Sequence, residues 1–78
     1  MISAAQCRMA RAALRWNVKE LAEKARINSN TVVRFENEKH EANEVTVLAI
    51  KQAFEAAGLT FIDADNTHGA GVRWKQPK

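Results

Sequence analysis

The segment LAEKARINSNTVVRFEN, residues 21–37, restricts the possible folds of this chain more than any other stretch. Leu21 and Ala25 are four residues apart, the spacing that puts two side chains on one face of a helix. Val32 and Phe35 resume a helical step on the far side of a break. Within that break only Ile27 is apolar. Asn28, Ser29, Asn30 and Thr31 are residue types suited to helix starts, where a side-chain oxygen satisfies a free backbone amide. The pattern fits two short helices meeting at a tight corner. Leu21 and Ala25 form one apolar face, Val32 and Phe35 the other, and Ile27 fills the angle between them. Ala22 is small where the second helix has to cross closely.

A chain of 78 residues supports one domain. Domains of this size bury only about 60% of the surface their unfolded chain exposes, so their stability margin is thin. The usual staples look out of reach. The single cysteine, Cys7, cannot form an internal disulfide, which fits a reducing compartment. His40 and His68 lack metal-ligand spacing, so no metal site is expected. Oligomerisation is left as a source of further burial. Apolar residues make up 46% of the chain, enough for a packed core. No apolar run approaches the ~18 residues of a membrane span. No secretory signal is visible either, and a cytoplasmic protein without membrane association is expected. Lys and Arg number 12 against 9 Asp and Glu, a net charge of +3 that permits a polyanionic partner without requiring one.

Helix-start chemistry recurs along the chain. Ser3 and Gln6 have the form of a capping box, and the helix that follows sets Ala5, Met9, Ala12, Ala13 and Trp16 on an apolar stripe. Arg8, Arg11 and Arg15 share a neighbouring face. Asn17 and Glu20 repeat the box and open a helix over residues 18–25, with Leu21, Ala22 and Ala25 facing inward. Asn28 opens the next helix. Asn43 caps a fourth, with Glu44 in its first turn, where a negative charge suits the macrodipole. That helix ends at Gly58, which suits a left-handed terminus. Beyond it, residues 59–62 and 72–75 read as β-prone runs separated by turn residues. A lone hairpin is marginal in water, so its edge is expected to be paired, for example with a second copy of the chain.

Residues 18–37 therefore match a helix-turn-helix pattern. The run WNVKELAEKARINSNTVVRFEN, residues 16–37, resembles the Cro/phage-repressor (XRE-type) helix-turn-helix family. The resemblance covers about residues 3–58. It implies a mainly α protein, a compact bundle of four or five helices, here followed by a short C-terminal β-hairpin or strand. Residues 1–58 would form the helix-turn-helix domain. Residues 59–78 would form an extension suited to dimerisation, with Phe61 and Trp74 as candidate dimer contacts.

The resemblance further implies that the helix opening near Asn28 lies in the major groove of double-stranded DNA. Ser29, Asn30 and Arg34 are then the candidates for base contacts, since Asn can pair with adenine and Arg with guanine. Asn17, Thr31, Lys39, His40 and Asn43 are candidates for phosphate contacts. Arg11 and Glu36 occupy positions that pair as a structural salt bridge in the family. Where the family usually has Gly in the turn, this chain carries Arg26, and a left-handed backbone there would cost roughly 1 kcal/mol.

A nucleophile–base pair and a Gly-rich phosphate loop are both missing from the sequence, so catalysis, a cofactor and a small-molecule ligand are not expected. Trp16 and Trp74 read as core or interface aromatics, Cys7 as a small apolar filler, and His68 as a loop residue. The expected function is a sequence-specific transcriptional regulator, a homodimeric repressor or autoregulator. The alternative is a protein-binding helix-turn-helix module, such as an antiactivator or antitoxin-like partner. In that case the acidic residues Glu36, Glu38, Glu41 and Glu44 would face the partner.

Overall fold

Capping chemistry starts every helix. In the computed structural model, which describes residues 1–38 and 43–77, Gln6 N donates to Ser3 Oγ and Ser3 N donates to Gln6 Oε1, at 3.1 and 2.9 Å. This box opens α1 (Ala4–Leu14). Asn17 and Glu20 form the same reciprocal pair at the head of α2 (Val18–Ala25). Asn28 caps α3 (Ser29–Glu36) and Asn43 caps α4 (Glu44–Ala56). Strands β1 (Leu59–Ile62) and β2 (Gly71–Trp74) then form an antiparallel pair, with Leu59 opposite Trp74 and Ile62 opposite Gly71. The second strand starts one residue earlier than the β-prone run, because Gly71 completes the ladder opposite Ile62.

The helix corners are closed by backbone geometry. Arg15 and Arg26, directly after α1 and α2, both adopt left-handed conformations, with φ of 57° and 58°. Behind each, two amides fold back onto the helix. Arg26 N donates to the Glu23 carbonyl and Ile27 N to the Ala22 carbonyl, at 3.3 and 3.0 Å. This is the Schellman arrangement, and its apolar residue past the turn is Ile27, half-buried against the core.

Ile2, Cys7, Ala10, Leu21, Ala22, Val32, Val47, Ile50, Phe54 and Leu59 form one buried core. Each large aliphatic or aromatic side chain fully buried there contributes about 1.5–3 kcal/mol. Trp16 stacks on Phe54 at 5.6 Å between ring centroids, and Phe61 meets Phe54 edge-on at 6.0 Å.

The face that α1 turns inward differs from the one its alanines suggest. Cys7 and Ala10 are buried, with Ala4 and Gln6 beside them, whereas Met9, Ala12 and Ala13 are exposed. Alanines bury too little area to select a helix rotation. Here the rotation suits Arg11, which reaches into the interior, and Gln6, which reaches the hairpin.

The hairpin is stabilised within its own chain. Leu59 belongs to the shared core, and the strands pack on α1 and α4. Gln6 Nε2 donates to the carbonyls of Ile62 and Gly71, at 3.2 and 3.1 Å, so one buried amide clamps both strands to α1. Lys75 N donates to the Gly58 carbonyl at 2.8 Å, and Lys75 Nζ caps α4 by donating to the Glu55 carbonyl at 2.7 Å. Leu59, Phe61, Val72 and Trp74 of the hairpin thus pack in or against the same core as the helices.

Candidate functional site

α3 has one anchored side and one open side. Val32 and Glu36 are buried and Phe35 is half-buried, so they hold the helix to the core. Asn30, Val33, Arg34 and Asn37 are all exposed, and their spacing of three and four lines them up along the opposite side. Asn28 sits at the tip, with its Oδ1 accepting the Asn30 amide at 2.7 Å. The polar cluster at the head of α3 thus divides its work: Asn28 caps, Ser29 and Thr31 are half-buried, and Asn30 projects into solvent.

The anchored side centres on Glu36. Arg11 donates to it through Nε and Nη2, at 2.6 and 2.7 Å, a bidentate ion pair between α1 and α3. The same guanidinium donates through Nη1 to the Trp16 carbonyl at 3.1 Å. The Cys7 thiol donates to Glu36 Oε2 at 3.1 Å, and Arg8 donates to the Glu36 backbone carbonyl. Burial pushes the Glu36 carboxyl up. The hydrogen bonds from Arg11 and Cys7, with the charges of Arg11 and Arg8, outweigh that and hold it below the usual carboxylate range. Burial, the hydrogen bond to Glu36 and that carboxylate's charge all push the Cys7 thiol up, so Cys7 is a protonated donor at neutral pH. Glu36 is therefore consumed inside the domain, while Glu38 and Glu44 lie exposed.

The other sequence-derived candidates fall into separate groups. Asn17 and Asn43 are exposed helix caps; their Oδ1 atoms accept amides of Glu20 and Thr46, at 2.7 and 2.8 Å. Lys39 and His40 lie outside the described residues, as does Glu41. Arg34 makes no ion pair with Glu38 among the described residues. Phe61 and Trp74 are half-buried against their own core. Among the described residues no group of three or more His, Cys, Asp and Glu side chains could hold a metal ion, and no helix is long and apolar enough to cross a membrane.

Sequence reasoning passes over Val33 and Asn37. Their helical offset from Asn30 would have placed both on the open side. A β-branched residue next to Val32 reads more readily as core, yet Val33 is 41% exposed. The stripe offers two amides, a guanidinium and an apolar methyl pair, which can form paired hydrogen bonds and methyl contacts with a planar, hydrogen-bonding edge. Neither a family model nor a curated protein matches the chain.

Proposed function

We propose that this chain is a sequence-specific DNA-binding regulator of the helix-turn-helix type. It acts as a homodimer on a repeated operator, mainly as a repressor, with its own operon among the targets. α2, the Arg26 turn and α3 constitute the motif, and α3 enters the major groove. The supporting observation is the open stripe of α3, where Asn30, Val33, Arg34 and Asn37 stand exposed together on a helix whose other side is anchored. Asn30 pairs with the major-groove edge of adenine, Arg34 with that of guanine, and Val33 meets a thymine methyl. Ser29 reaches a base edge from the first turn. Asn17, Thr31 and Asn43 donate to phosphates, joined by Lys39 and His40. One short helix reads only a few base pairs, so two copies one helical turn apart supply the affinity.

The exposure of Glu38 and Glu44 favours a second reading, a module that binds another protein through an acidic surface. Acids near phosphate weaken DNA binding, which is largely charge neutralisation. Selection of bound duplexes from a random pool, followed by titration at two salt concentrations, separates the two readings. The regulator yields a defined sequence and a steep salt slope. Asn30→Ala and Arg34→Ala each relax one base position and cost about 1–3 kcal/mol. Weak binding without sequence preference rejects the regulator and leaves the protein-binding module.

A further inference from the structure

The first two turns of α4 carry apolar surface that their own chain leaves open. Val45 is 78% exposed and Leu48 51%, with Met1 at 82% nearby. Met1, Ile2, Val47 and Leu48 line a groove of about 290 Å³ together with Glu44 and Lys51. Glu44 and Lys51 are seven residues apart, two helical turns, and so bracket Leu48 along one side of the helix. Neither forms an ion pair among the described residues.

We infer that this side of α4 is the contact between two copies of the chain, packed antiparallel about a two-fold axis between Val47 and Leu48. The charge order decides the occupant. Read along α4, the stripe runs negative, apolar, positive. An antiparallel copy presents the reverse order, so Glu44 meets the partner's Lys51 and Lys51 meets the partner's Glu44, with the aliphatic groups enclosed between them. Self-complementarity of this kind is what an isologous interface requires. The hairpin aromatics are less suited to the role, because Phe61 and Trp74 already direct much of their apolar surface into their own core. The contact also supplies burial to a domain with little to spare. It deepens the homodimer reading above, but it is tested by mass in the absence of DNA, so either can fail without the other.

The test is sedimentation equilibrium on the full chain over a wide concentration range, with circular dichroism to check folding. The expected mass is twice that of one chain. Leu48→Glu, Glu44→Lys and Lys51→Glu should each weaken association by about tenfold or more, since each buries a charge or sets like charges opposite. Combining Glu44→Lys with Lys51→Glu should restore the dimer, because both cross-pairs are rebuilt with their signs exchanged. A wild-type monomer at every concentration overturns the inference. So do single variants that associate as tightly as wild type, or a folded double variant that stays monomeric.

Discussion

Arg11 holds Glu36 with two parallel hydrogen bonds, at 2.6 and 2.7 Å, across the contact between α1 and α3. The buried apolar side chains that α1 and α3 contribute to the core, Cys7, Ala10 and Val32, are small, with Phe35 half-buried beside them. The ion pair, with the hydrogen bond from Arg8 to the Glu36 carbonyl, fixes how α3 lies on α1. Any role for the open stripe of α3 depends on this lock, since the same helix carries both.

Removing Arg11 should be far more damaging than a surface substitution. Arg11→Met leaves Glu36 charged in the interior, with Cys7 and Arg8 as its remaining partners among the described residues, at a cost of about 3 kcal/mol. For a domain of this size the melting temperature should fall by about 10–20 °C, read by thermal denaturation. Arg11→Met combined with Glu36→Leu should recover at least half of the loss, because no unpaired charge remains. A single variant that melts with wild type would show that the pair holds nothing.

The same lock makes an acid-stability prediction. The folded state holds the Glu36 carboxyl below the usual range, so folding favours its ionised form. Its contribution is complete above the unfolded carboxylate value of about 4.3 and is lost as pH falls through the lower folded value. Urea midpoints measured through this acid window should drop steeply for wild type. Glu36→Gln should start lower and lose less across the same window. Parallel curves for the two proteins would assign the acid sensitivity to other carboxylates.

Gln6 should act as the hinge pin of the hairpin. Its buried amide accepts from Ser3 N and donates to both Ile62 and Gly71 carbonyls. Gln6→Leu keeps much of the volume but strips all three bonds, at a cost of about 2–3 kcal/mol. Amide exchange should then accelerate first in β1 and β2, while α2 and α3 stay protected until global unfolding. Uniform acceleration throughout the chain would mean that the hairpin does not open separately.

These two polar anchors differ in how far the sequence discloses them. Helix starts are legible because capping is local: Ser3, Asn17, Asn28 and Asn43 each bond within three residues. The reach from Gln6 to Ile62 and Gly71 spans most of the chain and leaves no periodic trace. The rotation of α1 is hidden for a related reason. Its alanines look alike on either face, and the choice is made by partners of Arg11 and Gln6 that lie elsewhere in the sequence. Arg11 with Glu36 can be anticipated only from family resemblance. On α3, Asn30 and Arg34 stand out by residue type, whereas Val33 is masked by its resemblance to a core position.

Arg15 and Arg26 occupy backbone conformations that glycine adopts more easily, with φ of 57° and 58°. Both side chains are exposed and neither makes a hydrogen bond or ion pair among the described residues. Replacement therefore removes little besides the crowding of Cβ against the backbone, worth about 1 kcal/mol in the left-handed region. Arg26→Gly should raise the melting temperature by several degrees, with Arg26→Asn between the two, because Asn tolerates this conformation better than Arg. Arg26→Ala keeps the Cβ and should leave the melting temperature nearly unchanged. Lys24→Gly, two residues earlier and inside α2, should instead lower stability by about 0.5–1 kcal/mol through the backbone, besides removing the Lys24 ammonium from over the Trp16 ring. If Gly at 26 were as costly as Gly at 24, the turn between α2 and α3 would not be held in a left-handed state.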